Sequence, residues 1–247
     1  MNDIMLEIKK KIIFNKWIKG ISNGYGNAGL TLESLLGKDI ENFELPDYKG
    51  IELKTKYSDR ETYITLFVAT PDSYLFEIKR ILENYGYPDK NFPQFKVFNT
   101  SIYGNRRIKL NNYYFRLFVD YKKKLVILKI YDSNHKLIDD LCAWSFDLLK
   151  EKLERKFQYL AFIKANRKYE LGNVYFKYNN IKFYKLSSFE RFLRLIDVGF
   201  IRVTFRIGFY KNEKKYGKVY DHGTIFCIDE RDLERLFDEI TIRDQGE

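Results

Sequence analysis

Apolar residues recur along the chain in two different periods, which predict a mixture of helices and strands. Ile4, Ile8 and Ile12 follow the helical period and predict an amphipathic helix over 3–18. Thr31 is predicted to be the N-cap of a short helix that ends at Gly37. Four further helices are predicted at 72–84 with Asp72 as N-cap, at 145–156 with Ser145 as N-cap, from Ser187–Ser188 onward, and at 229–239.

Alternation of apolar and polar residues with a period of two predicts the strands. They are 51–56, 63–69, 113–119, 125–131, 158–164, 173–184, 200–209 and 219–228. The segments 20–29, 46–50 and 86–112 carry turn residues instead. Helices and strands in this order predict an α/β or mixed α+β protein whose mixed central sheet is flanked by helices.

The amino-acid composition indicates what kind of partner the chain binds. The chain has 247 residues, 45% of them apolar, so one large domain or two lobes can bury a sizeable core. Lys and Arg number 44 against 34 Asp and Glu, giving a net charge of +10. A surplus of this size favours a polyanionic partner. An ordinary soluble protein that is merely basic is the alternative, and charge alone does not decide between the two.

The two cysteines, Cys142 and Cys227, offer neither a metal-binding spacing nor a disulfide framework. A reducing, cytoplasmic location is therefore expected. The N-terminal residues mix charges into every turn, unlike a signal peptide, and no stretch reaches the roughly 20 apolar residues of a membrane span. We expect no membrane partner.

The candidate chemistry lies in a PD-x4-E-x-K pattern, Pro46-Asp47-Tyr48-Lys49-Gly50-Ile51-Glu52-Leu53-Lys54. On a strand, Glu52 and Lys54 project from one face while Ile51 and Leu53 point into the core. The preceding turn can return Asp47 to a place beside Glu52. Two such carboxylates repel each other unless a hard cation such as Mg²⁺ lies between them. On spacing alone, a Glu–Lys pair on a solvated strand face remains an alternative.

The same pattern occurs a second time, from Pro71 to Lys79. This copy lies in a helical pattern, where successive residues turn by about 100°. Glu77 and Lys79 would then point to nearly opposite sides and could not act on one ion. We interpret Asp72 as a helix cap and Lys79 as a solvated charge, and assign the active site to 46–54.

A second alternating segment, 201–207, places Arg202, Thr204 and Arg206 on one face. A hairpin that presents arginines in this way can enter a major groove, where arginine bonds guanine O6 and N7. The loop 211–218 that follows is rich in lysines, which are suited to phosphate contacts. A hairpin with a solvated basic face is an equally good interpretation of the pattern.

Taken together, these residues resemble a known family, the MvaI/BcnI type of restriction endonucleases. That family is related to the mismatch-repair nicking enzyme MutH and to the PD-(D/E)XK nucleases. The resemblance extends in order over nearly the whole chain. It is carried by Gly26–Gly37, Pro46–Asp47, Gly50–Thr55, Thr65–Phe67 with Pro71, Gly104–Arg106, Trp144–Asp147, Arg206–Gly208 and Asp221–Thr224.

The resemblance implies a restriction-endonuclease-like core with two lobes around a DNA cleft. The catalytic lobe is expected mainly within 1–170 and the DNA-recognition lobe mainly within 171–247, with part of 86–139 assignable to either. Asp47 and Glu52 are expected to hold Mg²⁺, for which Mn²⁺ can substitute, with the Leu53 carbonyl as a further ligand. Lys54 would position the attacking water, and Glu33 would supply an additional acid.

The resemblance also implies which side chains contact DNA. His222 matches a family segment that touches bases. The expected DNA-binding residues are Arg106, Arg107, Arg202, Arg206, Lys214, Lys215, Lys218 and His222. Family targets are short, G·C-rich sites of the CC-N-GG kind. Family members carry an acid near the position of Thr204 and an arginine near that of Cys227. Both are absent here, so the exact recognition sequence does not carry over.

The expected function is therefore a type II restriction endonuclease that acts as a monomer on double-stranded DNA, beside a separate cognate DNA methyltransferase. Two alternatives are kept. One is a MutH-like, partner-activated strand-nicking endonuclease. The other is a DNA-binding regulator built on an inactive nuclease fold, against which the intact Asp47, Glu52 and Lys54 argue.

Overall fold

The computed structural model describes residues 1–12, 14–22, 27–37, 45–59, 62–74, 77–211 and 213–242. The helices are α1 (Asn2–Lys11), α2 (Asn27–Leu35), α3 (Ile78–Tyr85), α4 (Phe146–Phe157), α5 (Phe189–Asp197) and α6 (Leu233–Leu236). The strands are β1 (Ile18–Lys19), β2 (Ile51–Tyr57), β3 (Tyr63–Val68), β4 (Tyr87–Pro88), β5 (Lys96–Ile102), β6 (Ile108–Leu110), β7 (Tyr113–Asp120), β8 (Leu125–Tyr131), β9 (Leu137–Ser145), β10 (Tyr159–Glu170), β11 (Asn173–Leu186), β12 (Ile201–Phe209), β13 (Val219–Asp221), β14 (Ile225–Asp229) and β15 (Phe237–Ile240). The mixed α+β class is confirmed.

The chain divides into two compact units. The first unit comprises Met1–Ile64, Leu153–Ser188 and Glu230–Glu247, and the second comprises Thr65–Lys152 and Phe189–Asp229. The boundaries of these units differ from those of the predicted lobes, 1–170 and 171–247. The assignment of catalysis and DNA reading to separate lobes stays a prediction.

The first unit is built on a five-stranded sheet in the order β1-β11-β10-β2, with β15 paired to β11. The pair β2 and β10 is parallel, and Tyr159 lies opposite Ile51. Strands β10 and β11 form a long antiparallel hairpin with a bulge next to Lys164 and Ala165. One face of this sheet packs against α1 and α2. Its core comprises Met5, Ile8, Ile12, Ala28, Leu32, Leu36, Tyr48, Ile51, Leu53, Ala161, Ile163, Ala165, Val174, Phe176, Tyr178 and Phe183.

The second unit contains a sheet in the order β3-β14-β12-β5-β4, with β13 paired to β12, and a four-stranded sheet β6-β7-β8-β9. Aromatic side chains fill its interior. Phe67 stacks on Phe226 at 5.0 Å between ring centroids, and the buried indole of Trp144 donates a hydrogen bond to the Ala69 carbonyl at 2.9 Å. Pairing the one polar atom of the indole removes the cost of burying it.

Most strands begin and end close to the predicted residues, and β2 and β8 match almost residue for residue. The helix after Ser145 is also confirmed, because the Ser145 hydroxyl accepts the Leu148 N–H at 3.2 Å as an N-cap does. None of the described helices is long and apolar enough to cross a membrane.

Two helix starts were predicted wrongly because polar side chains found other partners. Thr31 lies inside α2, which begins at Asn27, and its hydroxyl donates to Asn27 Oδ1 at 3.1 Å. Asp72 does not cap α3, which begins only at Ile78. Its carboxylate instead accepts the backbone N–H of Ser145 at 2.7 Å and the Ser145 hydroxyl.

Three further boundaries differ because tertiary pairing overrides the local pattern. The first helix ends at Lys11 rather than 18, and the chain turns through Asn15 (φ 60°) so that β1 can pair with β11. The supposedly turn-rich 86–112 contains β4, β5 and β6. The predicted helix 229–239 is short, and Phe237–Ile240 forms the edge strand β15.

Candidate active site

The turn before β2 places the first carboxylate. Tyr48 and Ile51 exchange both backbone hydrogen bonds, at 2.9 and 2.8 Å, across a two-residue turn. The residues between them, Lys49 (φ 46°) and Gly50 (φ 86°), both adopt left-handed conformations, as a tight hairpin turn of this type requires. The turn returns Asp47 to β2, where its Oδ2 accepts the Leu53 N–H at 3.0 Å. This geometry was predicted from the sequence.

Strand β2 places the second carboxylate and the lysine. Ile51 and Leu53 belong to the core against α1 and α2, so Glu52 and Lys54 project from the opposite face, as predicted. The Glu52 side chain is only 1% exposed, and Lys54 Nζ lies 2.5 Å from its Oε1. The alkyl chain of Lys54 brings its ammonium to 5.7 Å from the centre of the Phe157 ring.

A second lysine, which the sequence did not reveal, also reaches Glu52. Lys156 Nζ lies 3.4 Å from Glu52 Oε1, and the lysine side chain is 19% exposed. Lys156 is the penultimate residue of α4, which ends at Phe157, and β10 begins at Tyr159 and pairs directly with β2. Lys156 belongs to one of several E-x-K triplets in the chain, and no local signal distinguishes it from the others. Only the parallel pairing of β10 with β2 identifies it.

The electrostatics of Glu52 are those of a buried acid with opposing neighbours. Burial is the largest effect and raises the pKa of Glu52 above its ordinary value. Lys54 opposes this rise, the nearby Asp47 carboxylate adds to it, and Lys156 opposes it again. The two lysines therefore offset part of the cost of holding a carboxylate away from water.

The other Glu52 oxygen is the feature that best fits a cation. Both lysines lie at Oε1, whereas Oε2 is buried and has no hydrogen-bond partner among the described residues. A buried, unpaired carboxylate oxygen is costly unless something satisfies it. Within the described part of the chain no cluster of three or more Asp, Glu, His or Cys side chains is arranged to hold a metal. Mg²⁺ needs no such cluster, since it is commonly bound through one or two carboxylates, waters and substrate phosphate. Asp47 and Glu52 fit that pattern.

The motif turn is also tied to α1. Glu7 accepts the Tyr48 hydroxyl at 2.7 Å and lies 2.6 Å from Lys49 Nζ and 2.9 Å from Lys11 Nζ. These partners, Lys49 foremost, lower the pKa of Glu7 to about 2. Sequence reasoning missed this anchoring group, because Glu7 is some forty residues away from the turn it holds.

Glu33 lies half-buried on α2, whose neighbouring residue Leu32 packs in the same core as Ile51 and Leu53. The helix thus lies against the strand that carries the motif. A role for Glu33 as an additional acid stays a prediction.

The second copy of the motif forms no comparable group. Asp72 is bonded to Ser145, and Lys79 pairs with Glu83 at 3.8 Å on the exposed side of α3. Glu77 is exposed and precedes the helix.

The predicted DNA-reading residues all belong to the second unit. Along β12 the apolar residues are buried, and Arg202, Thr204 and Arg206 are not, so the alternation is confirmed. Arg206 lies beside His222, with its Nη2 donating to the His222 carbonyl at 3.3 Å. The loop between β12 and β13 carries the three predicted lysines, all exposed: Lys214, Lys215 and Lys218.

Two of the predicted DNA-binding arginines contact Tyr103. Its hydroxyl accepts Arg202 Nη1 at 3.2 Å, and the Arg106 guanidinium lies 3.8 Å from the centre of its ring. Arg107 instead stacks on Tyr131 at 4.0 Å. The structure therefore brings Arg106, Arg202, Arg206 and His222 to one sheet region, and Arg107 to a neighbouring one.

Carboxylates beside a strand-borne lysine, with a buried acceptor left for a cation, make up the kind of site that hydrolyses phosphodiesters with a divalent metal. The comparisons with known proteins agree. The family model described as "MvaI/BcnI restriction endonuclease family" matches residues 6–237. The chain belongs to this restriction endonuclease family, whose members generally use a divalent metal, and is a type II site-specific nuclease.

Two solved structures are similar over nearly all of their length. A restriction endonuclease MvaI–cognate DNA substrate complex is 30% identical, with 98% of each chain covered and a TM-score of 0.83. Restriction endonuclease MvaI in the absence of DNA is also 30% identical, with 98% of this chain and 99% of that chain covered and a TM-score of 0.65. A search of curated proteins gave no match.

Proposed function

We propose that this chain cuts double-stranded DNA at a short specific sequence, by Mg²⁺-dependent hydrolysis at Asp47, Glu52 and Lys54. The single observation that carries the proposal is Glu52 Oε2, a buried acceptor with no partner in the described chain, next to Asp47 and on the same strand face as Lys54. The family membership and the similarity to an endonuclease–DNA complex support DNA as the substrate.

The residues divide the chemistry between them. Asp47 and Glu52 would hold the divalent ion, with the Leu53 carbonyl as a further ligand. The bound ion supplies Lewis acidity and lowers the pKa of a coordinated water. Lys54 acts as a cation that orients the attacking water and balances the charge that develops on the phosphoryl oxygens during in-line attack. Glu33 contributes an additional acid from α2.

Recognition belongs to the second unit in this proposal, and catalysis to the first. Arg202 and Arg206 on β12, with His222, are suited to base edges, and Arg106 and Arg107 to base or backbone contacts. The lysines of the 211–218 loop are suited to phosphates. The target is a short G·C-rich sequence of the CC-N-GG kind, although Thr204 and Cys227 stand where other members have an acid and an arginine.

The proposed enzyme is a monomer that cuts the two strands in successive events. Mg²⁺ is the proposed cofactor, with Mn²⁺ as an active substitute. A cognate DNA methyltransferase of the same system would protect the host target without being a physical subunit.

The test is a digest of unmethylated phage DNA by purified protein with Mg²⁺, with EDTA as the control. The duplicated motif offers matched variants. Lys54→Met changes the lysine of the copy assigned to catalysis, and Lys79→Met changes the lysine at the same position of the second copy. Discrete fragments from wild type and Lys79→Met, and none from Lys54→Met or with EDTA, support the proposal. Equal activity of Lys54→Met overturns the assigned site. Binding without any cleavage in Mg²⁺ points to a regulator, and nicking that needs an added protein points to a repair enzyme.

A further inference from the structure

The sheet face that carries the active site continues well beyond it. Phe162 on β10 lies beside Lys54, and six residues further along the same strand Lys168 lies opposite Tyr175 of β11. Since side chains alternate along a strand, Lys54, Phe162 and Lys168 share one face. Lys168 is therefore about 20 Å along the strand from the active-site row.

The middle of this face is electrically balanced. Lys164 Nζ lies 2.5 Å from Glu230, and Lys182 Nζ lies 3.1 Å from Glu234 and 2.9 Å from Glu239. Lys164, Lys182, Glu230 and Glu234 border a cavity of about 400 Å³. Each lysine here already has a carboxylate partner, so this stretch is poorly suited to hold a phosphate.

The far end of the face is not balanced. Here the side chains of Trp17, Lys19, Lys168, Tyr175 and Lys177 form what we call the flank patch. Lys168 Nζ lies 5.1 Å and Lys177 Nζ 5.4 Å from the centre of the Trp17 ring, which is 41% exposed. Lys168 Nζ is also 5.4 Å from the Tyr175 ring. Lys19, on β1, is exposed and lies opposite Tyr175 of β11.

Among the residues that the structure describes, one carboxylate, Glu170, pairs with a lysine of the flank patch. It lies 2.6 Å from Lys168, and both side chains are about half exposed (40% and 55%). Exposed pairs of this kind contribute little and are easily exchanged for another anion. Three ammonium groups against one exposed carboxylate leave a local surplus of positive charge.

The arrangement favours an anionic ligand of a particular kind. An indole ring attracts ammonium groups through its electron-rich face, which holds Lys168 and Lys177 near one another in spite of their like charge. A phosphate between or beside them would relieve the repulsion. Ammonium groups around the exposed Trp17 and the half-buried Tyr175, on the face that leads away from a nuclease site, match the negative charge of a nucleic-acid backbone.

We propose that the flank patch binds the phosphate backbone of duplex DNA outside the recognition sequence. The proposal rests on the proposed function, because it takes the DNA at Lys54 as its starting point. A separation of about 20 Å corresponds to roughly six base pairs at about 3.4 Å each. The proposal includes a duplex axis that runs along β10. In that orientation the distance exceeds the reach of a short target from its own cleavage point, so the contact lies in flanking DNA and carries no sequence information.

Two duplexes that share the mapped target test this, one with flanks of about 3 base pairs and the other with flanks of about 12. The variant is Lys168→Met/Lys177→Met. The matched control is Lys9→Met/Lys10→Met, which removes the same charge from exposed positions of α1. Equilibrium binding is measured in EDTA over a series of salt concentrations, cleavage is measured in Mg²⁺, and melting curves establish that all the proteins are folded.

We expect wild type and control to bind the long duplex more tightly than the short one, and the flank-patch variant to lose that gain while matching wild type on the short duplex. On the long duplex its slope of log K against log salt concentration should be shallower by about 2, one unit for each lost phosphate contact. Equal losses on both duplexes, or a wild type indifferent to flank length, would overturn the flank patch and leave the proposed function standing. A wild type that neither binds nor cuts either duplex would overturn the proposed function itself.

Discussion

Lys156 Nζ, at the last turn of α4, lies 3.4 Å from the same Glu52 oxygen that Lys54 approaches to 2.5 Å. The two lysines hold Glu52 by Oε1 and leave Oε2 without a protein partner in the described chain. When Lys54 turns to water or substrate, Lys156 can keep the carboxylate in place. We therefore treat Lys156 as a positioning residue that acts through Glu52.

Lys156→Met should slow single-turnover cleavage by about 10- to 100-fold, the usual cost of losing a group that orients a metal ligand. Lys10→Met is the control for loss of one positive charge, and Lys156→Arg should recover part of the rate. Mn²⁺ binding, followed by electron paramagnetic resonance, separates two explanations. Removing a cation should tighten Mn²⁺ if charge alone matters and weaken it if Glu52 has lost its orientation. Tighter binding in the Met variant would therefore contradict the positioning role.

Glu52→Gln should abolish cleavage and at the same time stabilise the fold at alkaline pH. Burial raises the pKa of Glu52, so the folded protein binds this proton more tightly than the unfolded chain does. Ionised Glu52 therefore lowers stability above its folded pKa, and this penalty vanishes below the ordinary glutamate value of about 4.3. Lys54 and Lys156 are 23% and 19% exposed and can turn to water when the charge is lost.

The measurement is the Tm of Glu52→Gln against wild type at about pH 8 and about pH 4 in the absence of metal. We expect a higher Tm for the variant at the first pH and no difference at the second. Glu77→Gln, at the same position of the second motif and exposed, should match wild type at both. A lower Tm for Glu52→Gln at the alkaline pH would show that its ion pairs outweigh its burial.

The geometry of the candidate active-site motif could be predicted from sequence because it is local. A turn followed by one alternating strand fixes Asp47, Glu52 and Lys54 relative to one another, whatever the rest of the chain does. Lys156 could not be predicted in this way, since it depends on which strand pairs with β2 and in which direction. The contact of Glu7 with the turn could not be predicted for the same reason, because Glu7 reaches the turn from α1.

Two of the errors in secondary structure have a common cause. Strand β5 lies within the segment 86–112, which is predicted to be turn-rich, and it carries the polar residues Asn99, Thr100 and Ser101. Ser101 lies opposite Thr204 on the polar side of β12, with 2.9 Å between their hydroxyl oxygens. Asp72 is a residue type that often caps helices, but its carboxylate accepts the backbone N–H of Ser145 instead. Where a polar residue bonds to a distant strand, a local pattern misassigns it.

The two-residue turn at Lys49 and Gly50 gives a prediction that joins stability to activity. Gly50 has φ +86°, so Gly50→Ala should destabilise the protein by about 1–2 kcal/mol and slow cleavage by displacing Asp47. Gly29, inside α2 with open space around it, is the matched control. Gly29→Ala should stabilise by about 0.5–1 kcal/mol with activity unchanged. Urea unfolding and single-turnover rates check both, and a neutral Gly50→Ala would mean that the turn conformation is not required.

Base reading and backbone binding can be told apart with one arginine and one lysine of the same hairpin. Arg206 is exposed on β12 beside His222, and Lys218 is exposed in the loop before β13. If Arg206 contacts a base edge, Arg206→Ala should reduce discrimination between the cognate site and a single-base variant by about 1–3 kcal/mol. Lys218→Ala should weaken both duplexes alike and reduce the salt slope by about 1. Competition binding over a salt series measures both quantities. An Arg206 variant that keeps its discrimination and changes only the salt slope would place this arginine on the backbone, and the base-reading role would then have to lie elsewhere on the sheet.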